Sequence, residues 1–325
     1  MVPSIALPSS ARIGLNPLPW VLTARGLDLT VPALRSAFAE ITTTGFAAVH
    51  ADPPAGTTPG EYLALLDEYG LFPAPGYFSA AFDKAPRPEL VEAAKRHAST
   101  QAVLGNTEVF VAGFRDPRRM ARPAVGAYFD RDALARFIDG LGEAAEAITA
   151  EGVRAALHQH VGSLVEVEQE VRSVLDAIPE SILGFGPDTG HLAWAGMDPA
   201  SVMASYTGRI AAMHLKDAHL DRAAQAKAQQ LDYHAATRGG SALWTELGRG
   251  DIDLTAALGA LPDTFAGWVV VEADVPEASS NLRSTQISAQ WITSHLGWAA
   301  LTANLPERTS ETNGSTRQRR WPGDT

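Results

Sequence analysis

A chain of 325 residues with 37 acidic against 26 basic side chains carries a formal charge of −11, which excludes the clustered positive surface a nucleic-acid partner needs. It contains no cysteine, so neither a disulfide framework nor a thiolate metal site can form. With 46% hydrophobic residues it can bury a large core, and no run approaches the roughly 18 apolar residues of a spanning helix, so a cytoplasmic protein without a membrane segment is expected.

The opening MVPSIALPSSARIGL has neither a basic start nor a long apolar run, and does not read as a secretory signal. ARIGLNPLPW (11–20) reads as the first strand, with Gly14 and Asn16 on one face. TVPALRSAFAEITTTG follows as an amphipathic helix, with Thr30 at the cap and Pro32 in the first turn. FAAVHAD (46–52) is a second strand, with His50 and Asp52 on one face, and TPGEYLALLDEYG a helix entered at Thr58 and Pro59. LFPAPGYFSA is a third strand broken by prolines, RPELVEAAKRHAST the third helix and EVFVAGF (108–114) the fourth strand. RDPRRMARPAVGAYF is a long loop for an α/β connection. Its Arg118–Arg119 pair reads as solvated charge, as does Arg319–Arg320.

Leu134, Phe137, Leu141, Ala145 and Ile148 recur at helical spacing and define a helix from Asp130 to Glu151. Strand five runs from Val153 to His160, helix five from Leu164 to Ala177 and strand six from Ile182 to Asp188. Asp198 and Pro199 open a short helix, and strand seven runs from Arg209 to His214. Residues 218–250 form a long, partly helical excursion with Gly239 and Gly240 as breakers. LTAALGAL is a helix, WVVVEAD strand eight, and Ser280 to Ala300 a closing helix. Eight strands alternating with helices imply a closed (β/α)8 TIM barrel over 1–303, with a polar, aperiodic and disordered tail over 304–325. No G-x-G-x-x-G follows the first strand, so nothing supports a dinucleotide fold.

In such a barrel, side chains at the carboxyl ends of the strands converge on one point. Parity puts His158 with His160, His214 with Lys216, and Glu272 with Asp274 on shared faces. The first positions His158, His214 and Glu272, with Asp188, offer nitrogen and oxygen ligands for one divalent metal. The second positions lie one layer higher, toward substrate. Lys216 is a candidate stabiliser of developing negative charge. His191, in the turn DTGH, either faces substrate or supports the Asp188 carboxylate, and Gly190 beside it permits an unusual backbone. Trp20 and Trp194 either wall the pocket or simply pack, and Gly248 and Gly250 mark a tight turn in ELGRGDID. The 218–250 excursion is about thirty residues where βα loops take 2–6. It reads either as a lid that brings Asp232, Tyr233, His234 and Arg238 to a polyol and hinges at Gly239–Gly240, or as an oligomer contact or surface helix.

DTGHLAWAGMDP, RIAAMHLKD, ELGRGDID and the VVEAD strand resemble the xylose isomerase-like TIM barrels called sugar phosphate isomerases/epimerases, over about residues 11–300. ALHQHVGS is most similar to the inosose dehydratase group, which has a histidine-rich segment and a following Gly at this place. The resemblance implies a metal set of Glu, Asp, His and Glu, of which Asp188, His214 and Glu272 match three, while His158 stands at the remaining Glu position. That departure disfavours simple 1,2-isomerisation and shifts the expected cation from Mg²⁺ toward Mn²⁺, Co²⁺ or Zn²⁺, with one Mn²⁺ as the first expectation.

The implied reaction removes a proton next to the carbonyl of a keto-cyclitol or keto-sugar, with His158 or His160 as base. Loss of a hydroxyl would make the protein a lyase; reprotonation on the opposite face would make it an epimerase. Catalytic roles fall to His158, His160, Lys216 and Glu272, and substrate contacts to Asn16, Trp20, His191, His234 and Arg238. A non-phosphorylated polyol is expected, because there is no Gly-rich phosphate loop and little basic charge near the strand ends. The alternatives are a free-sugar isomerase or epimerase, the catalytic subunit of a C-glycoside deglycosidase acting on 3-keto-glycosides, and a binding barrel without turnover. The deglycosidase reading requires a small partner subunit, and a homo-oligomer is compatible with the others. Endonuclease IV shares the barrel, but its phosphodiester chemistry needs more ligands and a basic surface.

Overall fold

The computed structural model describes residues 6–24, 26–239 and 242–306. The barrel strands among them are β1 (Arg12–Leu15), β2 (Ala48–His50), β3 (Phe72–Ala74), β4 (Tyr77–Ala80), β5 (Glu108–Gly113), β6 (Arg154–Leu157), β7 (Leu183–Phe185), β8 (Met213–Leu215) and β9 (Trp268–Val271). They pair in parallel as β8-β9-β1-β2-β3 and as β4-β5-β6-β7. β3 and β4 are one stave, interrupted at Pro75–Gly76 because proline cannot donate to the ladder. Parallel bridges Phe185↔Ile210 and Asp188↔His214 join β7, the sixth stave, to β8, the seventh, and close the ring. The eight-stave barrel is thus present, with its third strand broken as the prolines imply.

Period-two alternation fills the bore. Ala48, Ala74, Phe110, Ala212, Trp268 and Val270 form a separate buried cluster inside the ring. Small residues make room for the two large rings: a Cβ on Gly14 would stand 2.9 Å from that of Ala74, and one on Gly186 2.9 Å from the Phe110 ring. A larger apolar core, including Phe38, Leu66, Leu141 and Ile148, lies between the outer face of the staves and the helices.

Helix starts follow their sequence signals closely. Thr58 and Glu61 form a capping box at Pro59–Glu68, and Asp130 accepts from the amides of Asp132 and Ala133 at Arg131–Ala150. Asp198 caps Pro199–Ser205. Thr30 holds the cap position of Val31–Ile41, but its hydroxyl donates to Asp28 and caps nothing. Helix five begins at Glu168 rather than Leu164, since Glu170 turns back to accept from the amides of Glu166 and Val167.

Arg119 overturns the solvated-charge reading of the Arg118–Arg119 pair. Arg118 is exposed and pairs with Asp116, whereas Arg119 is only 1% exposed and lies 3.2 Å from Glu166 and 2.6 Å from Glu170. Glu166 also accepts from the amides of Gly162, Ala124 and Gly126, so one buried ion cluster fastens the loop after β5 to the loop after β6.

The 218–250 excursion is stapled at its base by a short antiparallel pair, Asp217–Ala218 with Trp244–Thr245, and carries helices Leu220–Ala228 and Tyr233–Thr237. Gly240 of the expected hinge lies outside the described residues. The expected tail does not begin at 304: Asn304 donates to the carbonyls of Ser9 and Ala11, both at 2.8 Å, and Leu305 packs on the bore cluster. Residues 307–325, with Arg319–Arg320, lie outside the described residues. No described helix is long and apolar enough to cross a membrane.

Breaking a buried ion cluster from one side strands its remaining charges, at a cost of about 3–5 kcal/mol, against roughly 0–1 kcal/mol for an exposed pair. Urea denaturation should therefore show Arg119→Ala as severely destabilised and Arg118→Ala as near wild type. Equal midpoints for the two variants would remove Arg119 from its structural role.

Candidate active site

The chemistry-bearing side chains sit where the staves end. Past β6 come His158 and His160; the His158 amide donates to Val111, and the Gln159 side chain donates to the Asp188 carbonyl at 2.9 Å. Asp188 caps the helix Thr189–Trp194, with its Oδ1 accepting from the His191 amide at 2.8 Å, which leaves Oδ2 turned inward. His214 is in β8, and Glu272 directly follows β9.

Ligand atoms of His158, Asp188 and His214 lie within 4.8 Å of one another. His214 Nδ1 is 3.7 Å from Asp188 Oδ2 and 3.2 Å from Glu272 Oε2, which brings the fourth expected ligand alongside. His158 Nδ1 and His214 Nε2 are buried and make no hydrogen bond, whereas Asp188 Oδ2 and His214 Nδ1 have ion-pair contacts. Each such orphan costs about 1–3 kcal/mol, so their clustering around one point is what a cation there would relieve. Two imidazoles and two carboxylates fit a divalent transition metal.

The same carboxylates surround a buried lysine. Lys216 is fully buried, with Nζ 2.6 Å from Glu272, 2.9 Å from Asp274 and 3.4 Å from Asp188, and it lies 4.7 Å over the Trp244 ring. Three carboxylates and one ammonium thus meet beside the His214 imidazole. Burial opposes the Lys216 ammonium, but Asp188, Asp274 and Glu272 outweigh it and hold its pKa well above the usual value. Burial likewise opposes the Asp188 and Glu272 carboxylates, and Lys216 together with the neighbouring imidazoles outweighs it and drives both down. Asp274 is pushed up to about 7 by burial, with Lys216 opposing and Glu272 adding to the rise.

The imidazoles diverge. Burial, then the neighbouring His214, drives His158 well below its usual value; burial, then Lys216, drives His160 down to about 4. His214 is raised to about 9, because Glu272 and Asp188 together outweigh its burial. At neutral pH His158 and His160 therefore hold their lone pairs. His160 Nδ1 sits 2.7 Å from the Val161 carbonyl, which assigns the ring hydrogen to that nitrogen and leaves Nε2 as acceptor.

Gly190 corrects one expectation. It lies within a regular helix, and its value is space rather than an unusual backbone: a Cβ there would stand 2.7 Å from Lys216 Cδ and 2.8 Å from Trp244.

A cavity of about 970 Å³ opens over these groups, lined by Asn16, His158, His160, His214, Glu272 and Asp274. His234 and Arg238 also line it, with Tyr233, whose ring stacks on His160 at 6.0 Å. Asn16 donates to Glu272. His191 does not line the cavity; its ring lies 3.9 Å behind His160, and its amide serves Asp188. Trp20 also stands apart, its indole N–H donating to Glu40 at 2.9 Å, and Trp194 is buried against Tyr233 and Trp244.

Sequence reasoning missed a pair on the second stave. His50 and Asp52 line the cavity, with His50 Nε2 3.4 Å from Asp52 and His50 Nδ1 buried without a partner. Their shared parity at a strand end was the available signal, the one that singled out His158 and His160. Tyr77, after the Pro75–Gly76 break, and Arg115 also line the cavity and carry no comparable signal.

A family model described as the xylose isomerase-like TIM barrel matches residues 38–295. An inosose dehydratase of Geobacillus kaustophilus is 26% identical over 273 residues, covering 81% of this chain and 87% of that protein. A D-allulose 3-epimerase of Methylomonas sp. in complex with D-allulose superposes with a TM-score of 0.62 at 16% identity, over 90% and 99% of the two chains. A xylose isomerase-like TIM barrel protein of Mycobacterium smegmatis in complex with magnesium gives 0.63 at 16% identity, over 91% and 98%. The barrel architecture and the extent of the family match together make this chain a member of the xylose isomerase-like TIM barrel family.

Proposed function

We propose that the chain is a metal-dependent lyase of the cytoplasm that removes a proton next to the carbonyl of a keto-cyclitol or keto-sugar and expels a neighbouring hydroxyl as water. The observation that carries this reading is the convergence of His158, Asp188 and His214, with unbonded nitrogens on both imidazoles, beside His160, an imidazole held neutral, at the floor of one cavity. The likeness to an inosose dehydratase supports it. His158, Asp188, His214 and Glu272 would hold the cation, and their donor set suits Mn²⁺ first, with Co²⁺, Zn²⁺ and Mg²⁺ as alternatives. Bound there, it would polarise the carbonyl and acidify the adjacent C–H.

His160 takes the proton at Nε2, and Tyr233 stacked on its ring fixes the angle of approach. Glu272 is held by Asn16 and Lys216, so it does not swing with the substrate. Lys216 acts through the carboxylates it touches and is a positioning residue. His50, backed by Asp52, faces the cavity from the second stave and hands a proton to the departing oxygen. The same His50 favours a second reading: delivered to carbon from that side, the proton would give epimerisation, the activity named for the Methylomonas structure.

Elemental analysis should find one divalent cation per chain in the wild type, and much less in Asp188→Ala. Full activity in EDTA would contradict the metal site. In D₂O, the holoenzyme acting on a keto-inositol should place deuterium on a carbon next to the carbonyl, read by NMR, and mass loss of one water separates lyase from epimerase. His160→Ala should slow turnover roughly 10²–10⁴-fold with metal content unchanged. Hydride transfer without solvent exchange would sink this function. Replacing Tyr233, His234 and Arg238 together by Ala should impair turnover and leave metal content intact; normal turnover would make that segment purely structural.

A further inference from the structure

The cavity is chemically divided. Its ionisable side chains come mainly from the ends of the staves and from residues 233–238. The wall made by the connections after β1 and β2 is different: from Pro17 to Leu34, and from Pro53 to Tyr62, no described residue lining the cavity is charged. Leu18, Val21, Leu22 and Leu27 supply one part of this wall, Pro54 and Tyr62 the other.

At about 970 Å³, the cavity stands at the top of the range for drug-sized ligands, well beyond what a bare six-membered polyol fills. Leu27, 58% exposed, opens this wall to solvent at the rim of the cavity. The wall also runs inward. Val21 and Tyr62, 2% and 1% exposed, close it at the base. Prolines 17, 53 and 54 keep the wall rigid, so an occupant loses little to ordering it.

We infer that the substrate is a ring polyol carrying an apolar, aryl-sized substituent, which lies on the Leu18–Leu27 and Pro54–Tyr62 wall while the ring faces His158, His160 and Glu272. The ring end rests on the function proposed above; the apolar subsite stands on the cavity alone.

Calorimetry on the metal-loaded protein tests it with phenyl and methyl β-D-glucosides, neither of which carries the ketone needed for turnover. The phenyl compound should bind about tenfold tighter or better. Leu27→Asp, on the open rim, and Leu22→Asn, deeper in, should each reduce that ratio to near one, with thermal melting checking that both fold. No measurable binding of the phenyl glucoside, equal affinity for the pair, or an aryl preference untouched by both variants overturns the inference. Loss of self-association in Leu27→Asp with the aryl preference intact would assign the wall to a second copy and overturn it as well. An aryl preference in a protein that turns over no keto-polyol would uphold the subsite and sink the proposed function; turnover of a bare keto-polyol without aryl preference would do the reverse.

Discussion

Lys216, buried among Asp188, Glu272 and Asp274, is the constraint from which the local sequence follows. Ions taken out of water are costly unless paired and hydrogen-bonded, and a lone buried carboxylate would simply protonate. The ammonium, with the imidazoles around it, keeps Asp188 and Glu272 ionised. The DTGH turn is built around it. Asp188 caps its helix with one oxygen and turns the other inward; Thr189 Oγ1 accepts from the Lys216 amide and donates to the Lys216 carbonyl; Gly190 clears the lysine stem; His191 backs His160. Four consecutive residues thus serve one buried charge and the imidazole beside it.

Packing below the site sets its acid–base behaviour. Phe110 rises from the bore with its ring 4.2 Å from His214, 5.9 Å from His158 and 6.2 Å from His50. It can stand there because Gly186, Ala48 and Ala74 leave room for it in the bore. An apolar floor strips water from the imidazoles, and burial is the largest cause of the fall in His158 and His160. His214 escapes that fall only because two carboxylates face it. The same desolvation that stabilises the barrel therefore readies its nitrogens as ligand and base.

What could be read from the sequence was what depends on local period. Alternation marks strands, and ionisable residues at strand ends mark the open face, so His158, Asp188, His214, Glu272 and the barrel itself were legible. Contacts between distant segments were not. Arg119 looks like half of a surface pair until Glu166 and Glu170, 47 and 51 residues onward, close over it. Gly190 signals conformational freedom, yet its need for space comes from Lys216, 26 positions away in number. Trp20 is a reasonable wall for a polyol until its indole finds Glu40 on a neighbouring helix. His50 and Asp52 had the right signal, but on a strand far in sequence from the histidine-rich stretch.

The 218–250 segment is anchored at its base and reaches the cavity at Tyr233, His234 and Arg238. Asp217, next to Lys216, accepts from the amides of Ala218, Gly248, Gly250 and Ile252, and so ties together the two ends of the excursion. Gly250 is required there because a Cβ would collide with that carboxylate. Glu277 adds a second clamp, bonding His219, Arg222 and Thr245; its carboxyl is held down to about 2, chiefly by the His219 contact. Toward the cavity the bonding changes character. Tyr233 meets His160 and Trp194 through ring contacts alone, while His234 and Arg238 remain exposed at the cavity. A carboxylate gripping four amides is stronger and more directional than these ring contacts, so the base of the segment is held more firmly than its cavity end.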